Sequence, residues 1–151
     1  MIHMAEKKIL PNDLLLGEVS RLIAEGESVT IMTKGVSMHP FIRGGRDSVR
    51  LVKPEGLEPG MIVLAQIRQG VYVLHRIISL EGDDVTLMGD GNIAGVEKCR
   101  ISDVKAVAVA IIKPRREIDP SGERHQRQAR LWKSLLPVRR WLLAVYRRLF
   151  I

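Results

Sequence analysis

The chain has 151 residues, of which 46% are hydrophobic, enough to fill the core of one domain that carries an appendage. Its single cysteine, Cys99, excludes an intrachain disulfide framework. Charge is unevenly distributed: residues 1–112 carry 13 Lys or Arg and 14 Asp or Glu, whereas residues 113–151 carry 11 and 3, so a nearly neutral body precedes a tail with a net charge of +8.

The first predicted element is a helix that begins after a cap at Asn12 or Asp13 and ends at Gly26. Its apolar residues recur at helical spacing: Leu15, Leu16, Val19, Leu22 and Ile23. The residues before it include Glu6, Lys7 and Lys8 and do not match a signal peptide. No stretch approaches the ~20 apolar residues that a membrane-spanning helix needs.

Residues 28–112 have the pattern of an antiparallel β domain. Short strands separated by turns are predicted at 29–33, 49–52, 61–66, 71–78, 85–88 and 104–112. The last of these is almost continuously apolar, which favours a place at the centre of a sheet. We therefore expect a mostly β, antiparallel fold with an N-terminal helix and a C-terminal amphipathic helix.

The most informative loop follows the first predicted strand and carries Ser37 between a glycine hinge at Gly35 and a bend fixed by Pro40. Such a loop can expose a hydroxyl and turn backbone N–H groups toward a bound carbonyl. A serine hydroxyl is a poor nucleophile at neutral pH and needs an adjacent base. Serines are common in loops, however, and the loop alone leaves a purely structural role open.

The sequence offers four histidines as a base: His3, His39, His75 and His125. His3 lies near the start and His125 in the polar tail. His39 is two residues from Ser37, a spacing at which a side chain is rarely oriented to take the proton. His75 lies inside a predicted strand, which would hold its ring in a fixed direction, although a strand histidine is often only structural.

Four short motifs occur in an order that resembles type I signal peptidases and the related LexA-like autoproteases. They are Gly35-x-Ser37-Met38-x-Pro40, Arg46-Asp47-Ser48-Val49, Val73-Leu74-His75-Arg76-Ile77-Ile78 and Gly89-Asp90-Gly91-Asn92. Bacterial signal peptidases have Lys-Arg in the third motif and the endoplasmic-reticulum type has His-Arg, so the chain resembles the histidine branch. The resemblance implies a serine endopeptidase with Ser37 as nucleophile and His75 as general base, without metal or cofactor.

The resemblance also implies where the oxyanion would be held. Many bacterial members have a serine two residues before the nucleophile, and this chain has Gly35 there. The oxyanion would then depend on backbone donors, chiefly Ser37 N–H, within a loop formed by Val36, Met38 and Pro40. The substrate would be an extended leader or signal peptide, added as a strand beside the site.

An acidic residue that orients His75 is expected after the last motif. The family has an acidic residue before an arginine in this region, and Glu97, eight residues after Gly89, is the first candidate. Asp90 and Asp103 are its rivals, and an arrangement without an acidic partner also stays open.

The tail divides into a predicted linker at 113–130 and a predicted helix at 131–151, which Pro137 is expected to kink or to restart. Apolar residues of the helix alternate at spacings of four and three: Leu131, Leu135, Val138, Leu142, Val145 and Leu149. A basic amphipathic helix that also carries tryptophans is typical of binding to an anionic membrane surface. There are three alternatives for this helix: it could pack on the β body, bind a partner protein or form a dimer seam. Nucleic acid is not expected as a partner, because no recognisable binding motif accompanies the positive charge.

The expected location follows from these segments. Signal peptidases work outside the cytoplasm through an N-terminal membrane anchor, which this sequence is not expected to have. A cytoplasmic peptidase that lies peripherally on the membrane and trims leader peptides resolves this conflict, and classical signal-peptide removal stays open beside it. The alternative function is a non-catalytic or self-cleaving LexA-like regulator or scaffold, but one clear helix before Gly26 does not predict a DNA-binding domain.

Overall fold

The computed structural model describes residues 12–150, with side chains from Leu14 onward. Helix α1 spans Asn12–Ala24. The later elements are β1 (Val29–Met32), β2 (Ser48–Val52), β3 (Ile62–Arg68), β4 (Val71–Glu81), β5 (Asp84–Met88), β6 (Glu97–Arg100), β7 (Val104–Ile112), β8 (Glu117–Ile118), α2 (Glu123–Ser134) and α3 (Arg139–Phe150). The predicted cap at Asn12 or Asp13, His3 and the charged residues before the helix lie outside the described side chains.

The strands form one open antiparallel sheet in the order β1-β2-β7-β3-β4-β5-β6, with β8 paired to β7. The predicted fold class is confirmed. Strand β7 lies between β2 and β3, as its apolar sequence predicts. Strand β6 was not predicted, because its sequence Glu-Lys-Cys-Arg is polar and only Cys99 points into the core.

Two hydrophobic clusters cover opposite faces of the sheet. One packs α1 against the sheet through Val19 and Ile23, which are fully buried. The other lies on the far face around Ile77 and Leu87, and it includes the thiol of Cys99, whose pKa burial raises to about 11. Strand β3 contributes alternate residues to both clusters, since four of its residues in a row are buried.

The tail differs from its predicted division. The polar segment 113–130 is not a plain linker, because it holds β8 and the first half of α2. The break expected at Pro137 is confirmed: a 3₁₀ turn at Leu136–Val138 separates α2 from α3, because Pro137 has no N–H to continue the helical hydrogen bonds. Within residues 12–150, no helix is long and apolar enough to cross a bilayer.

Candidate active site

Ser37 lies in the loop between β1 and β2, and the ends of this loop are tied together. Thr33 donates to Asp47 O from its N–H at 3.0 Å and from its hydroxyl at 2.7 Å. Gly45 N–H donates to Thr33 O at 2.8 Å. Gly35 has a φ of 77°, in the left-handed region that favours glycine, so the chain reverses just before the serine. The half-buried Ser37 is thereby held at the end of β1.

Asp47, at the C-terminal end of the same loop, holds it through hydrogen bonds to its side chain. Its buried carboxylate accepts hydrogen bonds from Arg43 N–H at 2.8 Å, Arg46 Nε at 2.7 Å and Lys113 Nζ at 2.7 Å. Lys113 also donates to Phe41 O at 2.8 Å. Burial would raise the pKa of Asp47, but the hydrogen bonds to its charged form outweigh burial and lower the pKa to about 2. The aspartate of the second motif therefore fixes the serine loop rather than taking part in chemistry.

His75 is paired with Glu97 across the sheet. Strand β4 carries His75, and Glu97 begins β6, two strands away. His75 Nδ1 and Glu97 Oε1 are 2.5 Å apart, with 8% of the histidine side chain and 24% of the glutamate side chain exposed. A carboxylate that accepts from Nδ1–H places the lone pair of the neutral ring on Nε2. Within residues 12–150, Glu97 is the one hydrogen-bond partner of this ring.

Gly89 shows how close the serine loop comes to the histidine. A Cβ added to Gly89 would lie 2.4 Å from Ser37 O and 3.1 Å from His75 Cδ2. Both residues therefore approach the same point, and there is room at this point only for glycine. Ser37 and His75 thus meet at Gly89 through the serine carbonyl and the ring Cδ2, and both residues line one cleft; within residues 12–150 no hydrogen bond joins the Ser37 hydroxyl to the ring.

The turn after β5 also fixes the carbonyl of Ser37. Gly91 N–H donates to Ser37 O at 2.7 Å, and a Cβ on Gly91 would lie 2.2 Å from Val36 O. Ser37 N–H has no acceptor within the described part of the chain, so it can bind a substrate oxygen. The other predicted oxyanion residues divide: Val36 is exposed, whereas the Met38 side chain is buried in the core and only its backbone can contribute.

The acidic rivals of Glu97 are bound elsewhere. Asp90 Oδ1 and Oδ2 accept from Arg76 Nε at 2.9 Å and Nη2 at 2.7 Å, in a pair in which each side chain is 7% exposed. Asp103 accepts from Arg100 N–H at 2.8 Å at the surface. Of the three carboxylates predicted as partners of His75, the structure brings Glu97 to the ring.

A cleft opens beside Ser37 and His75, and we call it the serine cleft. Its volume is about 210 Å³. One wall is β1 with the residues that follow it, 31–35, and the other is the segment 72–75 of β4. Apolar side chains line its floor: Leu16, Met38, Ile42 and Leu64. Within the described residues, β1 pairs with β2 alone, so its other edge is unpaired.

His39 has a different environment from His75. It is 1% exposed, and its ring packs edge-on against Tyr146 of α3, with centroids 5.3 Å apart. Its buried Nδ1 has no hydrogen-bond partner within residues 12–150. Burial and then the nearby Arg147 and Arg43 lower the pKa of His39. These contacts suit a packing role between the serine loop and the tail.

A second set of residues, not predicted from the sequence, joins the tail to the turn at residues 89–92. Arg76 Nη2 lies 3.1 Å from Nε2 of His125 on α2, which accepts the hydrogen bond when the ring is neutral. Trp132 Nε1–H donates to Asp90 O at 2.6 Å, and Arg139 Nη1 donates to Asn92 O at 3.0 Å. In the sequence, the one sign of these contacts is Arg76, the arginine that follows His75 in the third motif.

The outer face of the tail is apolar and exposed. The predicted stripe does not pack on the body, because Leu131, Val145 and Leu149 are 62%, 57% and 69% exposed. The buried positions are instead His125, Ala129, Arg139 and Leu143. Sequence periodicity identified an apolar face but not the side of the tail that contacts the body.

The structure thus brings Ser37, His75 and Glu97 to one place and puts Asp90 in a separate buried pair. The chain matches no family model and no curated protein. Any assignment of function must therefore follow from the geometry of the site and from the order of the motifs.

Proposed function

We propose that this protein is a serine endopeptidase in which Ser37 is the nucleophile, His75 the general base and Glu97 the residue that orients His75. The observation that carries the proposal is the His75 ring itself. Its Nδ1 is held by Glu97, its Cδ2 lies against Gly89, which the Ser37 carbonyl also approaches, and Ser37 and His75 line the same cleft. A base that is oriented on one side and free on the other is what activation of a serine requires.

The reaction would proceed in two halves. His75 Nε2 takes the hydroxyl proton while Ser37 Oγ bonds to the peptide carbonyl carbon, and the resulting oxyanion accepts from Ser37 N–H. His75 then gives the proton to the leaving amine as the C–N bond breaks. Water, deprotonated by His75, then attacks the acyl carbon; the ester bond to Ser37 Oγ breaks, His75 returns the proton to Oγ, and the new carboxyl group leaves. Glu97 stabilises the imidazolium formed in each half.

The substrate class follows from the serine cleft. The unpaired edge of β1 can add an extended peptide as a further strand, which would run along the cleft past Ser37. Main-chain hydrogen bonds bind any extended segment. Selection among substrate side chains therefore depends on the apolar residues that line the cleft. By resemblance to signal peptidases, we propose leader or signal segments of precursor proteins as substrates.

A mixed library of unstructured peptides tests this proposal without knowledge of the natural substrate. New termini should appear in mass spectra with the wild-type chain and not with Ser37→Ala, at equal folded concentration. Equal cleavage by both proteins would show a contaminating protease. No cleavage of any peptide or of added precursor proteins would overturn the endopeptidase proposal and favour a non-catalytic regulator.

We also propose that the outer face of the tail binds the cytoplasmic surface of a membrane peripherally. Trp141 is 65% exposed beside Leu142 and Val145, and Arg140 stacks on its ring at 5.3 Å. Exposed apolar side chains and bordering cations match the boundary between acyl chains and anionic head groups. The cytoplasmic leaflet is the anionic one, and each basic residue contributes ~1 kcal/mol there.

Vesicle sedimentation tests the membrane proposal. Arg140→Gln with Arg148→Gln should weaken binding to anionic vesicles at low salt by about 30-fold and leave the weak binding to neutral vesicles unchanged. Trp141→Ala should weaken both. The matched control is Arg21→Gln, an exposed arginine on α1, outside the tail. A full-length chain that ignores anionic vesicles at low salt would contradict the proposal.

A further inference from the structure

A second cavity lies between the tail and the sheet, and we call it the tail cavity. Its volume is about 300 Å³, which is at the small end of ligand-binding pockets. Side chains of the sheet and of α2 line it, among them Ile78, Met88, Ala129 and Trp132. It is distinct from the serine cleft, with which it has no lining residue in common.

Arg139, at the start of α3, brings a positive charge to the wall of this cavity. The residue is 3% exposed, and within residues 12–150 no carboxylate lies within salt-bridge distance of it. Its hydrogen bonds go to neutral carbonyls, Asn92 O at 3.0 Å and Trp132 O at 3.2 Å, and its Nε–H has no acceptor in that range. A buried guanidinium is normally paired with an anion, because removal of its charge from water is costly.

The surroundings compensate Arg139 only in part: its guanidinium lies over the Trp132 ring at 5.1 Å, and Asp90 favours its charge from beyond salt-bridge distance, but burial still lowers the pKa of Arg139. The nearby carboxylate, Asp90, is already paired with Arg76. Two more cations, Arg130 and Lys133, line the tail cavity from α2. The cavity therefore combines apolar walls with an excess of positive charge, and it lacks an acidic residue apart from the paired Asp90.

We propose that the tail cavity binds an amphipathic anion, which is a single carboxylate or phosphate group attached to a short apolar chain. The anionic group would compensate Arg139 with help from Arg130 and Lys133. The apolar chain would fill the space beside Ile78, Met88 and Trp132. Two kinds of molecule have this chemistry. One is a free fatty acid or alkyl phosphate, and the other is a membrane lipid that inserts its head-group end.

Trp132 is a built-in reporter of this site. The chain has two tryptophans, so Trp141→Phe leaves Trp132 as the source of tryptophan fluorescence. In that background, octanoate and octyl phosphate should each change the fluorescence saturably, whereas octanol and inorganic phosphate should bind about tenfold more weakly or not at all. If one alkyl anion binds much better than the other, the result identifies the head group and supports the proposal.

The charge requirement is tested with adjacent arginines. Arg139→Gln should weaken binding of both alkyl anions by about tenfold or more, and Arg140→Gln, on the exposed outer face, should change it less than twofold. If Arg139→Gln does not fold, Arg139→Lys keeps the charge and should retain binding, while both anions should raise the melting temperature of the unmodified chain. Equal binding of octanol and octanoate, equal binding of inorganic and octyl phosphate, or no binding by either anion would each overturn the proposal. None of these measurements depends on peptidase activity.

Discussion

His75 and Arg76 are neighbours on β4, and each is bound to one carboxylate, yet the two sides of the strand serve different purposes. On the cleft side, His75 is held by Glu97 at one nitrogen and keeps the other free. On the tail side, each guanidinium nitrogen of Arg76 has an acceptor among Asp90, Gly60 O and His125. The two pairs therefore differ in one respect: the His75 ring keeps a nitrogen that can bind a further group, and Arg76 has none left.

The largest expected effect is on the cleft side. Ser37→Ala or His75→Ala should each lower the rate of peptide cleavage by ~10⁶-fold, and the double variant should be no worse, because the two residues act as a unit. His39→Ala, checked for folding because His39 is buried, is the control and should retain most of its activity per folded molecule. If His39→Ala were inactive and His75→Ala active, the base would be misassigned.

The second prediction compares how much each of the two pairs contributes to the free energy of unfolding. Arg76→Met removes one member of a buried pair and leaves the Asp90 carboxylate without its partner, which should cost about 3–5 kcal/mol in the free energy of unfolding. Urea unfolding measures this cost. Glu97→Gln, on the cleft side, is the matched comparison and should cost less than about 1 kcal/mol. Equal losses in the two variants would remove this distinction between the two pairs.

The tail side should also respond to acid. Burial and the neighbouring Arg76 guanidinium lower the pKa of His125 from 6.5 to about 4. Between these values the unfolded chain takes up a proton that the folded chain does not, so stability should fall as pH decreases from 6.5 to 4, by about 3 kcal/mol in all. The free energy of unfolding of the wild type minus that of His125→Gln, measured across this pH range, isolates this contribution. A pH-independent difference would contradict the buried, neutral His125.

The smallest of these effects concerns the orientation of the base. Glu97→Gln should lower kcat for peptide cleavage by about 10²-fold and change KM little, because it alters the tautomer of His75 rather than substrate binding. Glu97→Asp should recover part of the loss if it still reaches Nδ1. Full activity in Glu97→Gln, together with loss in Asp90→Asn on an unchanged fold, would transfer the orienting role to Asp90.

Much of the fold was predictable, because alternating apolar residues and turn-forming residues define the strands locally. The strand at 104–112 was predicted at the observed residues and lies inside the sheet. Strand β6 was missed because pairing with β5, rather than its own polar sequence, makes it a strand. The break at Pro137 was also predictable, because proline lacks the N–H that a continuous helix needs.

The candidate site was predictable in its residues but not in its pairings. Motif order predicted Ser37 and His75, and the spacing from Gly89 suggested Glu97. Sequence could not decide between Glu97 and Asp90, because the choice depends on which face of β4 each carboxylate meets. The contacts of Trp132 and Arg139 with residues 89–92 are long-range and left no periodic signal.

The central claim is that His75 activates Ser37, and covalent labelling with a fluorophosphonate tests it most directly. The reagent should form one adduct per chain, mapped by mass spectrometry to Ser37. His75→Ala should slow the labelling by ~10³-fold, while His39→Ala should label at nearly the wild-type rate. An adduct at another residue, or labelling of Ser37 at an unchanged rate in His75→Ala, would contradict the account.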